Sequence, residues 1–202
     1  MSLAQMLAQP NPSLADIAAW LDEADHATRL AATRELGRAQ QRALYELAAG
    51  ADPLTLEDFA PADRDALVPI RHHGTNTLPL PSSFRVFEKR VCRPAEGEGR
   101  LFGYNEASTK NVIGPGYFVL VPTAGNAAWE ARGALVVDYF QVPDGPVPAD
   151  WPAVKPNSAG LQVLVYNKTR DFMRKVSTHV TIGAAYKVEK PLGHFFTLVR
   201  ED

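Results

Sequence analysis

The sequence predicts an α+β fold in which N-terminal helices pack on a strongly bent, mainly antiparallel sheet or partly open β-barrel. Between residues 84 and 141, aromatic and β-branched runs alternate with clusters of Gly, Pro and Asn, as in short strands joined by turns. Residues 1–70 instead carry apolar side chains at helical spacing. Because 202 residues suffice for one hydrophobic core, we predict a single domain over residues 1–202.

The helical N-terminal part, residues 1–70, is predicted to begin with a helical hairpin. Ser13, with Asp16 three residues later, gives a capping-box-like start to the helix LADIAAWLDEA. A longer helix is predicted from about residue 25 to residue 49, where apolar residues share one half of the helical wheel. Gly50 marks its end.

The chain then changes from helical to strand periodicity. Residues 71–83, RHHGTNTLPLPSS, have no sustained period and are predicted to form an extended connector to the β-rich part, residues 84–202. Within that part, a strand at residues 161–166 and one further helix near residues 167–177 precede two closing strands, THVTIGAAYK and HFFTLVRE. Whether the barrel interior is filled or hollow stays open, because both share the same alternation.

Composition and charge bound the function. The net charge of −2 disfavours a nucleic-acid partner, which requires a concentrated basic patch. No run approaches the ~20 apolar residues of a membrane span, and the N-terminus lacks the positive region of a secretory signal. A single cysteine, Cys92, allows no internal disulfide, so we expect a cytoplasmic protein without a membrane partner.

A small-molecule pocket at one end of the β-rich part is the leading functional hypothesis. The loop YNEASTKNVIGPGYF combines polar side chains with a Gly-Pro-Gly turn, and Asp138 lies on an otherwise apolar strand face. Polar groups that converge at a barrel mouth commonly orient small ligands. Asp138 alternatively pairs with an arginine such as Arg85, Arg90 or Arg132. The predicted ligand-binding residues are Tyr104, Asn105, Lys110, Tyr117, Asp138 and Tyr139.

A small enzyme is the second hypothesis, with Asp138, His72, His73 or His179 as general base beside Tyr104 or Tyr117. The sequence lacks a phosphate-binding loop, a nucleophile elbow, a zinc-protease motif and a dinucleotide fingerprint, which disfavours the commonest enzyme classes and leaves any cofactor unknown. Adjacent histidines in an extended segment point to opposite sides, and we therefore expect no metal site.

An interaction module, including a homo-oligomer, is the third hypothesis. Residues 1–80 carry 6 Lys+Arg against 11 Asp+Glu, a net charge of −5, which makes the helical part acidic. Either this helical part or an exposed sheet edge would then bind another chain.

Overall fold

The computed structural model describes residues 1–201, and its centre is a closed barrel of antiparallel strands. The strands pair in chain order, and β1 closes the barrel by pairing with β8. The predicted α+β class with a strongly bent antiparallel sheet is confirmed. The strands are β1 Ile70–Asn76, β2 Val86–Cys92, β3 Leu101–Glu106, β4 Phe118–Pro122, β5 Leu135–Asp138, β6 Thr169–Lys175, β7 Val180–Lys187 and β8 Lys190–Arg200.

Within residues 1–201, five α-helices precede the first strand of the barrel, and three short ones lie in the loops between later strands. The Ser13 hydroxyl accepts a hydrogen bond from the Asp16 amide at 3.2 Å and caps α2, as the sequence predicts. No helix within residues 1–201 has the length and hydropathy that a membrane crossing requires. The helices are α1 Leu3–Leu7, α2 Leu14–Glu23, α3 His26–Arg34, α4 Arg38–Leu47, α5 Leu56–Phe59, α6 Lys110–Ile113, α7 Ala127–Glu130 and α8 Gln162–Val165.

The long helix predicted for residues 25–49 is wrong in one respect, because it is broken into α3 and α4. Gly37 is the extended N-cap of α4, and the preceding Leu36 is buried in the cluster between the helices and the barrel. That cluster joins α2 and α4 to the outer faces of β7 and β8. The break between α3 and α4 therefore lets each of these two helices pack an apolar face on the barrel wall.

The connector predicted for residues 71–83 is wrong in its first half, since β1 occupies Ile70–Asn76, whereas residues 77–81 do link two strands without regular structure. The irregular sequence of β1 reflects a tight barrel interior: a Cβ atom on Gly74 would lie 2.4 Å from the Phe87 ring. Only glycine fits at this inward position on β1.

Residues 161–175 show the opposite of the predicted order. The strand predicted at 161–166 contains α8, and the helix predicted near 167–177 is strand β6. In β6, Asp171 pairs across to Ala185 of β7 and to Val137 of β5, so both neighbours impose the period of two. At the start of the predicted helix, Lys168 has a φ of +60° and turns the chain into β6.

One end of the barrel is closed by α5. Phe59 is fully buried there and stacks on His72 with ring centroids 4.7 Å apart, and His72 donates from Nε2 to the Phe59 carbonyl at 2.9 Å. Lys175 forms a 2.7 Å ion pair with Asp58 of α5. We call this the closed end. The opposite end, where β1 finishes and β2 starts, is the open end.

Candidate ligand-binding site

The open end contains a cavity of about 580 Å³. It is bounded by the loop that follows β1, by α6 and α8, and by the adjacent ends of β7 and β8. Its volume falls in the ~300–1,000 Å³ range of small-molecule sites. The apolar side chains at its rim are Leu78, Leu80, Phe84, Ile113, Val165 and Leu192.

Lys89 lies at the base of this cavity and is 2% exposed. It points inward from β2 because it lies two residues from both Phe87 and Val91, which face the interior on the same side of the strand. Its Nζ donates to Asn105 Oδ1 at 3.0 Å, to the Tyr139 hydroxyl at 2.5 Å and to Asp171 Oδ2 at 3.3 Å. Three acceptors match the three protons of an ammonium group.

Four aromatic rings surround the Lys89 ammonium. Their centroids lie 4.9–5.6 Å from Nζ, within the range of cation–π attraction. Together with the Asp171 carboxylate, the rings stabilise a charge that would otherwise be costly inside the barrel. The rings belong to Phe87, Phe118, Tyr139 and Phe196.

The ionisable groups of this base have perturbed proton affinities. Burial lowers the pKa of Lys89 below its ordinary value, and the nearby Asp171 carboxylate offsets part of that change. Burial raises the pKa of Asp171, and Lys89 offsets part of that change in turn. A lysine and a carboxylate shifted in opposite directions beside a cavity are typical of functional sites.

Tyr166 completes the base from the C-cap of α8. Its ring stacks on Tyr139 with centroids 5.2 Å apart, and it lines the same cavity. Burial and the nearby Asp171 raise the pKa of Tyr166 to about 12, so its hydroxyl is neutral at physiological pH. Gly116 has a φ of +56°, and a Cβ atom there would lie 2.5 Å from the Tyr166 ring. The Gly-Pro-Gly turn thus makes room for this tyrosine.

The six residues predicted to bind a ligand do not converge on one site. Asn105 and Tyr139 lie at the cavity base, where the Asn105 amide donates to the Tyr139 hydroxyl at 3.0 Å. Tyr104 immediately precedes Asn105 on β3 and therefore faces the outside of the barrel. Tyr117 packs in the same outer cluster, and Lys110 lies on α6 beside an external crevice.

Outside the barrel, these three residues contact the segments that cover its wall, and Tyr104 and Tyr117 are buried there. The Tyr104 hydroxyl and Lys110 Nζ both donate to Glu106, at 2.9 Å and 2.8 Å, beside a separate external crevice. The Tyr117 hydroxyl donates to the Pro152 carbonyl, and its ring packs with Tyr104 and Trp151. Tyr104 and Tyr117 thus hold the loop after β5 against the barrel.

Asp138 is buried but lies on the outer face of the barrel wall. Its carboxylate accepts from the Phe140 amide at 2.9 Å and from Gln141 Nε2 at 3.1 Å, and Arg170 Nε lies 3.3 Å away. Its arginine partner is thus Arg170 of β6, which is none of the three arginines that the sequence suggested.

The candidate histidines are dispersed. His72 is buried at the closed end, where burial lowers its pKa to about 3. His73 faces outward, with Nδ1 3.8 Å from Glu88. His179 immediately precedes β7, at the end where β8 finishes. The hydroxyls of Tyr104 and Tyr117 are engaged with Glu106 and Pro152 instead. The acid–base pairs of the enzyme hypothesis are not brought together.

Sequence reasoning missed Lys89, Asp171 and Tyr166. The sequence did contain a signal for Lys89, since in VFEKRVC it lies two residues from Phe87 and from Val91 and so shares their apolar face. Asp171 was hidden by the helix predicted over its segment.

Comparison of the chain with protein families, curated proteins and solved structures finds no match. The geometry of the barrel is therefore the basis on which a function is inferred.

Proposed function

We propose that this protein binds a small, largely apolar molecule in the open end of its barrel. The observation that carries the proposal is the position of a buried, hydrogen-bonded Lys89–Asp171 pair beneath a mainly apolar cavity of about 580 Å³. Ligand sites in proteins combine these features: an apolar wall that supplies affinity and a few placed polar groups that fix orientation.

A contribution to stability does not by itself explain why a buried ion pair is present here. Removing two charges from water costs several kcal/mol per ion, and apolar residues of similar volume often replace buried ion pairs without loss of stability. Apolar side chains such as Leu120 and Leu198 fill the interior of the same barrel without any charge. A role toward a ligand gives the pair a reason to be retained.

The test combines co-purification with a variant that fills the cavity. Ala185 lines the cavity and pairs with Asp171 across β6 and β7, so Ala185→Phe places a ring beside the polar base. Native mass spectrometry and solvent extraction of the purified protein should yield a bound apolar compound, and the neutral apolar dye Nile red should bind in competition with it. Ala185→Phe should lose both, and the matched variant Ala185→Ser should retain them. Equal dye binding by folded Ala185→Phe would contradict the proposal.

Acid–base catalysis on the bound molecule is a second candidate. It is favoured by the raised pKa of Asp171 and the lowered pKa of Lys89 beside a cavity. Under this candidate the co-purified compound would be chemically converted on incubation, and Asp171→Asn would retain the compound without converting it. Unchanged conversion by that variant would exclude Asp171 as the base.

The interaction module is less well supported by the barrel. β1 pairs with both β2 and β8, so within residues 1–201 the barrel wall leaves no open edge for a further strand. The apolar residues of α2 and α4 already face β7 and β8. Self-association and a cytoplasmic location stay predictions, to be checked by sedimentation and by cell fractionation.

A further inference from the structure

The hydrogen-bonding capacity of the cavity base is almost entirely used within the protein. Lys89 donates its three protons to Asn105, Tyr139 and Asp171. The Asn105 amide donates both of its protons, one to the Gly116 carbonyl at 3.0 Å and one to the Tyr139 hydroxyl at 3.0 Å. Lys89 thus has no proton left for a ligand unless it gives up a bond that it already makes.

Tyr139 is saturated as well. Its hydroxyl oxygen accepts from Lys89 and Asn105, and its one proton has both Asn105 Oδ1 and Asp171 Oδ2 at 3.3 Å. A phenol has one donor and two acceptor positions, and all three are occupied. The base therefore offers a ligand nothing from Lys89, Asn105 or Tyr139.

Two groups at the base keep capacity that the described residues do not use. Asp171 accepts both of its hydrogen bonds at Oδ2, and Oδ1 receives none from residues 1–201, while the side chain stays 7% exposed on the cavity wall. The Tyr166 hydroxyl makes no hydrogen bond within the same residues and lines the same cavity. The spare positions are one carboxylate acceptor and one hydroxyl.

The spare acceptor selects among head groups. A carboxylate ligand would face Asp171 as a like charge, with Lys89 behind it already neutralised, and this arrangement is repulsive. A protonated amine would be attracted to Asp171 but repelled by the Lys89 ammonium 3.3 Å from that carboxylate. A neutral hydroxyl donates to Asp171 and accepts from Tyr166 without adding a charge to the interior.

We infer that the ligand is an apolar alcohol, whose hydroxyl donates to Asp171 and whose hydrocarbon body fills the cavity up to its rim. This inference rests on the proposed function, because it names the ligand class of the same site. It runs against the simplest expectation for a lysine in an apolar pocket, which is an anionic ligand such as a fatty acid.

Calorimetric titration of the full chain with decanol, decanoate and decylammonium at neutral pH tests the inference. The three probes share one tail and differ only in the head group. Decanol should bind about tenfold more tightly than either charged probe, or better, as expected when a wrong head group leaves a buried polar group unpaired. Decanoate binding as tightly as decanol would overturn the inference but leave the proposed function standing. Binding of none of the three would count against both.

Single substitutions identify the residues that cause the preference for the alcohol head group. Asp171→Asn should weaken decanol and strengthen decanoate, because the amide donates to a carboxylate and the Lys89 charge is no longer neutralised. Tyr166→Phe should weaken decanol by a few-fold, the scale of one neutral hydrogen bond, and leave decanoate unchanged. Asp58→Asn, the same change in the ion pair of the closed end, should keep the wild-type order of the three probes. A wild-type order retained in Asp171→Asn would overturn the assignment to Asp171.

Discussion

The two ends of the barrel each contain a lysine–aspartate pair, but the pairs differ in setting. At the closed end, Lys175 and Asp58 are 2.7 Å apart, with side chains 30% and 14% exposed. At the open end, Lys89 and Asp171 are 3.3 Å apart, with side chains only 2% and 7% exposed. The shorter contact is the more hydrated one and ties α5 to β6. The longer contact is buried, where desolvation is most costly. A pair in that setting is better explained by a functional role than by a contribution to stability.

The surroundings differ in the same direction. At the closed end the neutral ring of His72 stacks on Phe59, and side chains fill the interior. At the open end the polar base lies beneath a cavity. The barrel thus divides into a half that supplies stability and a half that leaves room for a ligand.

Phe59→Ala tests the packed half and has the largest expected effect. Phe59 is fully buried, and its truncation leaves a cavity that should cost about 4 kcal/mol of unfolding free energy. Phe84→Ala at the open rim, where the side chain is 51% exposed, should change stability by less than about 0.5 kcal/mol and weaken ligand binding. Urea denaturation measures both. Similar losses in the two variants would erase the distinction between the ends.

Lys89→Met tests the buried pair. It leaves the Asp171 carboxylate unpaired in the interior and should cost about 3 kcal/mol. Lys175→Met at the closed end, where water reaches both partners, should cost about 1 kcal/mol or less. The double variant Lys89→Met, Asp171→Leu should recover most of the lost stability. If it is no more stable than Lys89→Met alone, the pair is structural.

His72→Asn tests the closed end through pH. The pKa of His72 is about 3 in the fold, against about 6.5 when unfolded, so between these values the unfolded chain binds a proton that the folded chain does not. The unfolding free energy should therefore fall as the pH is lowered through that window, by up to about 1.4 kcal/mol per pH unit from this residue. His72→Asn should flatten the slope. The outward-facing His73→Asn should flatten it less, and the reverse ranking would refute this assignment.

Val188→Asn has the smallest expected effect. Val188 and Glu189 form the turn between β7 and β8 with φ angles of +46° and +65°, which a β-branched residue adopts only with strain. Asparagine tolerates this geometry, so the variant should be more stable by about 0.5–1 kcal/mol. Val112→Asn, which also removes an exposed valine, should bring no such gain. A lower melting temperature for Val188→Asn would show that the turn is not strained.

Local patterns predicted the parts of the fold that depend on local physics. The Ser13 cap and the apolar stripe of α2 are contained within one helix, and the β7–β8 hairpin within one stretch of alternation. Residues 167–177 failed because Asn167 and the residues after it carry helix-like signals. Pairing with β5 and β7 on both sides decides their conformation, and no local window contains that information.

The site, like the fold, was predicted only in part from the sequence. Asn105 and Tyr139 were identified because polar and aromatic residues near turns tend to line barrel mouths. Tyr104 and Asp138 were misplaced relative to them, since one residue along a strand reverses the face. Which face is interior follows from barrel closure, a long-range property that also fixes the inward direction of Asp171.

The most direct test of the division between the two ends is an NMR titration of the isotope-labelled protein with decanol. Shift changes should concentrate on Lys89, Asp171 and Tyr166, with the amides around Phe59 and His72 unaffected. Changes centred on the closed end or on the outer wall, or no changes at saturating decanol, would contradict the account.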